Sequence, residues 1–168
     1  YSLSADWTHY TYGGWSLSSA VFFNEIFYPD DDLRDIYQYI GNFAAQRRFG
    51  KLSNTFGLII GDESARNNGG DQNARSFTGA YYDVNYDLSG GHLVYGQIYY
   101  QDAHYDGADP FFNQTQDTQF GQYTLGWDWH LSKPLRLRTE VIYGNNDSDI
   151  DYYSYERTRV QTGLRYSF

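Results

Sequence analysis

Apolar and polar residues alternate along most of this chain with a period of two. In 155–168 (YERTRVQTGLRYSF), Thr158, Val160, Thr162, Leu164, Tyr166 and Phe168 fall on one face. Arg157, Arg159, Gln161, Gly163, Arg165 and Ser167 fall on the other. Successive side chains of a strand point to opposite faces of its sheet, so this stretch predicts a strand with one apolar and one basic face. The same alternation predicts strands at roughly 2–12, 15–28, 36–49, 52–62, 75–88, 92–105, 118–131, 135–145 and 155–168. In 75–88, Ala80, Tyr82, Val84, Tyr86 and Leu88 oppose Tyr81, Asp83, Asn85 and Asp87. In 118–131, Tyr123, Leu125, Trp127, Trp129 and Leu131 oppose Gln122, Thr124, Asp128 and His130. Leu135, Leu137, Val141 and Tyr143 oppose Arg136, Arg138 and Glu140. Around Glu25 and Arg47 the alternation slips, where a strand end or a bulge is expected.

The runs are about ten residues or longer, the length of a tilted strand crossing a bilayer. Their connections alternate in kind. Gly13-Gly14, Gly50-Lys51, Ser89-Gly90-Gly91 and Ser132-Lys133-Pro134 are tight turns. Longer polar loops lie at 29–35, 62–74, 106–117 and 146–154. Short turns at one end and long loops at the other predict an all-β, antiparallel, up-and-down transmembrane β-barrel with the short turns periplasmic. About nine strands are visible in a single domain, 1–168, and an all-antiparallel barrel closes simply with an even number. The expectation is therefore the C-terminal part of a larger even-stranded barrel in a longer chain.

Composition narrows the classes. Mean hydropathy is −0.70, yet 20% of residues are aromatic, which excludes a disordered chain. Cys is absent, so no disulfide or thiolate metal site is expected. A net charge of −9 argues against nucleic acid as a partner. No apolar run is long enough for a transmembrane helix.

Candidate chemistry is sparse. Arg136, Arg138, Arg157, Arg159 and Arg165 would line the lumen as a basic wall, with Asp83, Asp87 and Asp128 as acidic counterparts. Such charges either set up a transverse field or solvate the interior as ordinary ion pairs, and the second is favoured. Asp30-Asp31-Asp32, and Asp147, Asp149 and Asp151, offer oxygen ligands for Ca²⁺, but a complete calcium loop is lacking and no metal or other cofactor is expected. Asp102, His104 and Asp106 share a strand face near the outer rim, with His9 and Ser4 as further possibilities. No nucleophile motif accompanies them, so an enzyme is not expected. Trp15, Trp127, Trp129 and Tyr143, with Phe111, Phe112, Tyr152 and Tyr153, read as aromatic girdles rather than a carbohydrate-stacking platform. His92 and His130 read as interfacial.

The last eight residues, QTGLRYSF, resemble the C-terminal assembly signal of outer-membrane barrel proteins at Gln161, Gly163, Tyr166 and Phe168. That resemblance implies insertion by the barrel-assembly machinery and a place in the bacterial outer membrane, against lipid and lipopolysaccharide. From about Ser76 onward the chain also resembles the barrel of surface lipoprotein assembly modifier-type proteins. YDGADPFFNQTQDTQFGQYTLGWDW and NNDSDIDYYSYERTRVQTGLRYSF carry the likeness, through Asn146, Asp147, Ser148, Ile150, Tyr153, Tyr155, Arg157, Thr158, Arg159 and Val160. The pattern departs at Asp149, Tyr152, Ser154 and Glu156. The resemblance implies a periplasmic tetratricopeptide-repeat domain as partner and passage of an exported protein, lipoprotein or polysaccharide. A passive porin or small structural barrel, and a rim-sited hydrolase, are the alternatives.

Overall fold

The computed structural model describes residues 1–67 and 69–167. Nine antiparallel strands form one sheet in sequence order. They are β1 (Ser2–Tyr10), β2 (Trp15–Ile26), β3 (Ile36–Phe49), β4 (Leu52–Ala65), β5 (Arg75–Asp87), β6 (His92–Ala108), β7 (Thr115–His130), β8 (Leu135–Ser148) and β9 (Tyr155–Tyr166). The sheet is open, with β1 and β9 as its edges among the described residues.

The short turns need residues that tolerate left-handed backbone. Gly90 and Gly91 stand at φ 76° and 78°, a conformation that costs other residues a clash at Cβ. Three of the long loops return to the sheet through one turn of 3₁₀ helix: Asp32–Arg34, Asp71–Asn73 and Asp151–Tyr153. In each, the residue after the turn donates its N–H to the carbonyl of the leading aspartate.

Direct cross-strand partners share a face, so the pairing shows which residues stand together. Phe56, Tyr82, Ile98, Tyr123, Tyr143 and Thr158 form one continuous row on one side. That side is the exposed one: Phe56, Leu58, Ile60, Ile98, Leu125, Val141, Val160 and Leu164 all lie open. Within the strands, the fully buried side chains Ile36, Glu63, Phe77, Ala103, Thr118, Asp128 and Ser148 all occupy the other face, sheltered by the curve of the sheet. The molecule is inside-out relative to a soluble fold, with its apolar side chains outside and its polar ones within.

The exposed apolar positions form a belt. It runs from Leu52 to Ile60 on β4 and from Leu135 to Tyr143 on β8, in each case nine residues or about 26 Å of strand. Nine residues is within the range with which a tilted strand crosses the hydrocarbon of a bilayer, about 9–11. Above the belt, toward the long loops, the outward face turns polar at Asp62, Asp102, Asp117, Asp147 and Glu156.

Several expectations change. At Glu25 and Arg47 the strand-end alternative holds and the bulge does not: both keep register, opposite Tyr37 and Trp15, and point outward near the ends of β2 and β3. Arg47 lays its guanidinium 5.4 Å from the Trp15 ring centroid and 4.5 Å from that of Phe49. Among the described residues, the register shift lies in β6–β7, between His104 and Ala108. β6, β7 and β8 run about three residues further toward the long loops than alternation indicates. Above the belt both faces are wet, so the period-two signal stops while the hydrogen-bond ladder continues.

Candidate functional site

Most of the strands' charged side chains stand on the polar face, and its features come from register. On β8 and β9, Arg136 stands opposite Arg165, Arg138 opposite Gly163, Glu140 opposite Gln161, Ile142 opposite Arg159 and Gly144 opposite Arg157. All these residues point inward. Asp128, opposite Arg138 on β7, is 1% exposed. A carboxylate so buried must be paired. Arg138 Nη2 lies 3.0 Å from its Oδ2, and Arg136 Nε 3.3 Å from its Oδ1. Glu140 accepts hydrogen bonds from the Tyr95 hydroxyl and Gln161 Nε2, with Arg138 Nη1 3.9 Å away.

Two further inward acids are held by nearby partners, whereas Asp6 on β1, opposite Ala20, has no cation within 4 Å among the described residues. Asp87 takes Arg48 Nη2 at 2.6 Å, and Asp83 takes Gln97 Nε2 at 2.7 Å. Asp83, Asp87 and Asp128 therefore do not confront the arginines across open space; each is engaged along the wall. Arg157, Arg159 and Arg165 have no carboxylate within 4 Å among the described residues.

One network was not expected. Glu63 receives Arg75 Nε at 2.6 Å and Gln38 Nε2 at 2.7 Å, and Asn24 donates to Gln38 at 2.8 Å. Alternation placed Glu63 in a loop; β4 continues to Ala65 and turns it inward. Its readable signal is a lone glutamate one residue past the predicted strand end, which is weak.

Aromatic rings on this face lie flat. Tyr81, Phe77 and Tyr95 stand directly opposite Gly57, Gly61 and Gly126, and a Cβ built on any of these glycines would sit inside the ring. Each ring covers its neighbour's bare backbone. The tyrosine hydroxyls reach one strand further, Tyr81 to Asn42 Oδ1 at 3.3 Å and Tyr95 to Glu140.

On the outward face, Trp15, Trp127 and Trp129 sit toward the short turns, where His92 stacks on both Trp127 and Trp129 at 5.6 and 5.1 Å. Tyr143 lies at the other edge of the belt beside Tyr123. His130 points inward opposite Arg136. Phe111, Phe112, Tyr152 and Tyr153 belong to no belt: they join two long loops. Phe112 packs on Tyr152 and Tyr153, and the Tyr153 hydroxyl donates to Asp109 Oδ2 at 2.6 Å. That bond holds Asp109 below the usual carboxylate range and pushes Tyr153 up.

His104 faces outward just above the belt and bonds through Nδ1 to Asp117, not to Asp102 or Asp106. Ser76 is its direct partner on β5. Ser4 and His9 lie on β1, with His9 stacked on Trp7 at 5.6 Å. Asp149 accepts the Asp117 N–H at 2.9 Å, and the Asp32 carbonyl takes Asn67 at 2.8 Å. Of the assembly-signal positions, Gln161 and Gly163 point inward, Tyr166 points outward opposite Leu135, and Phe168 lies outside the described residues.

Among solved structures, the chain is similar to an anion-selective porin from Comamonas acidovorans, with a TM-score of 0.69 and 15% identity over 99% of this chain and 49% of that one. It is also similar to the trimer form of OmpT, an outer membrane protein of Vibrio cholerae, with a TM-score of 0.65 and 11% identity over 93% and 52%. The chain thus spans about half the length of the barrels it matches. No curated protein matches the sequence. The model of a family described as "Protein of unknown function (DUF2860)" matches residues 65–167. An outer-membrane barrel fold and an apolar belt of bilayer-crossing length together place the chain in the bacterial outer membrane.

Proposed function

Since this chain belongs to the DUF2860 family of proteins of unknown function, we propose its role from its own wall: it lines a water-filled passage for hydrophilic solutes across the outer membrane. The observation that carries this reading is the flattened inner face. With Tyr81, Phe77 and Tyr95 seated over glycines, much of what reaches away from the wall is guanidinium, carboxylate and amide, as at Arg136, Arg138, Glu140, Arg157, Arg159 and Gln161, groups that prefer water to an apolar fill.

The edges of β1 and β9 would not survive in hydrocarbon, which leaves unpaired N–H and C=O groups unsatisfied. Our reading is that strands outside this sheet pair with them in a larger closed barrel. Translocation of an exported lipoprotein or polysaccharide is the narrower form of this reading and rests on the resemblance to assembly-modifier barrels. The test is planar-bilayer recording with the full-length protein. Stepwise conductance is expected, and a folded, inserted protein that never conducts would overturn the passage.

A second reading has one observation behind it. Ser76, His104 and Asp117 stand in a single outward row on β5, β6 and β7, just above the belt, where lipid esters lie. These residue types in this order are those of a serine hydrolase relay. A phospholipid-cleavage assay on wild type and His104→Ala separates the two readings, and the passage reading expects no cleavage by either.

A further inference from the structure

We infer that the passage favours anions, and that Arg136, Arg138 and Arg165 form an anion-binding cradle on the β8–β9 wall near the short turns. This inference rests on the passage reading above.

The chain carries a net charge of −9, but its acids are unevenly placed. Asp30–Asp32 and Asp151 lie in the long loops, and Asp62, Asp102, Asp117 and Asp147 face outward above the belt. The inward carboxylates of strands β4 to β8 are each engaged: Glu63 by Arg75, Asp87 by Arg48, Asp83 by Gln97, Glu140 by Tyr95 and Gln161, and Asp128 by two arginines at once. Arg157, Arg159 and Arg165 add three cations to the same wall with no carboxylate within 4 Å among the described residues. A solute inside meets a basic ladder even though the protein as a whole is acidic.

The cradle is its most specific part. Arg136 and Arg165 are direct partners in the sheet, and like charges so placed repel unless a counter-ion lies between them. Asp128 does not fill that role at Arg165, because it lies buried on the far side against Arg136 and Arg138. Gly163 sits between Arg138 and the strand edge, and a Cβ built there meets nothing within 4 Å. A cavity of about 390 Å³ results, bounded by Arg136, Arg138, Glu140, Gln161, Gly163 and Arg165. Guanidinium groups present paired N–H donors that match carboxylate and phosphate oxygens. Glu140 stands at the margin, already accepting two hydrogen bonds. The ligand class is a small oxyanion, carboxylate- or phosphate-bearing.

The experiment is reversal-potential measurement on the full-length protein in a KCl gradient, repeated with inorganic phosphate added. The expected sign is that of Cl⁻ passing more readily than K⁺, with phosphate reducing the chloride current. Replacing Arg157, Arg159 and Arg165 together by Gln should shift the potential toward that of K⁺, and Arg165→Gln alone should weaken the phosphate effect. Heat-modifiable gel mobility confirms that each variant is folded. Conductance that is unselective or favours K⁺ in the wild type overturns the anion inference and leaves the passage standing. Complete absence of conductance overturns both.

Discussion

The Tyr95 ring lies flat over Gly126, its direct partner on β7, and its hydroxyl passes beyond that strand to donate to Glu140 on β8. One side chain thus ties three strands, and it does so only because the middle position has no Cβ. Gly126→Val should lift the ring off the wall and release Glu140, lowering stability by about 1–3 kcal/mol, the usual cost of overpacking. Tyr95→Phe keeps the ring and loses only the hydrogen bond, so a cost of about 1 kcal/mol is expected. Urea unfolding in lipid vesicles, followed by tryptophan fluorescence, ranks the two. Equal effects would mean the glycine has no seating role.

Asp128 holds Arg136 and Arg138 from a position almost closed to solvent. Asp128→Ala leaves Arg136 without a carboxylate and Arg138 with only Glu140, 3.9 Å away. Removing one partner of a fully buried pair costs about 3–5 kcal/mol. Both arginines here are about half exposed, with side-chain accessibilities of 40% and 51%, so water screens part of that loss. The expected destabilisation is roughly 1–3 kcal/mol by the same urea measurement. A change within error would show that the pair is solvated and not structural.

Tyr153 and Asp109 join the β6–β7 and β8–β9 loops outside the belt. Asp109 is lowered from its ordinary value, first by the Tyr153 hydroxyl and also by the N–H groups of Phe111 and Phe112. A depressed carboxylate stabilises fully above its unfolded range, and the contribution is lost only as pH falls through the lowered value. Tyr153 is raised, so its share is complete below the ordinary tyrosine range and disappears as pH climbs through the raised value. The loop contact should therefore hold throughout the range between these limits. Protease nicking of the two loops as a function of pH reads this directly. Tyr153→Phe should move the acid limit upward, toward ordinary aspartate, and an unmoved limit would deny the link.

The face of nearly every residue in β5, β7, β8 and β9 was legible in the sequence, because lipid on one side and water on the other impose a strict period of two. Arg157 and Val160 could be assigned to opposite faces without any coordinates. Glu63 could not be placed with Arg75 and Gln38, since that network needs the register of three strands. The seating of Tyr81 on Gly57 is hidden for the same reason: 24 residues separate them, and only pairing brings them opposite. At Arg47 the pattern leaves strand end and bulge open, and only the structure decides for the strand end. A cation on the outward face looks like a slipped register, yet near a strand end it reaches the interface while its stem rests on Trp15 and Phe49. Alternation puts Asp102, His104 and Asp106 on one strand face, where a contact is possible, but the partner of His104 is Asp117, across the ladder.

Thr55 and Phe56 are adjacent on β4 and lie on opposite sides of the wall. Phe56 is 52% exposed at the middle of the apolar belt, between Ala45 and Tyr82. Thr55 faces inward, directly opposite Asp83. Phe56→Arg puts a charge into hydrocarbon and should cost about 2–4 kcal/mol near the bilayer midplane. Thr55→Arg puts the same charge into water beside a carboxylate, where a change within about 1 kcal/mol is expected. A sheet shifted by one residue would exchange the two outcomes, since a single-residue slip carries every side chain to the other face. Urea unfolding of both variants from vesicles therefore tests the register and the membrane face together. If Thr55→Arg proved the more damaging substitution, the side assigned here to lipid would be the one that lines water.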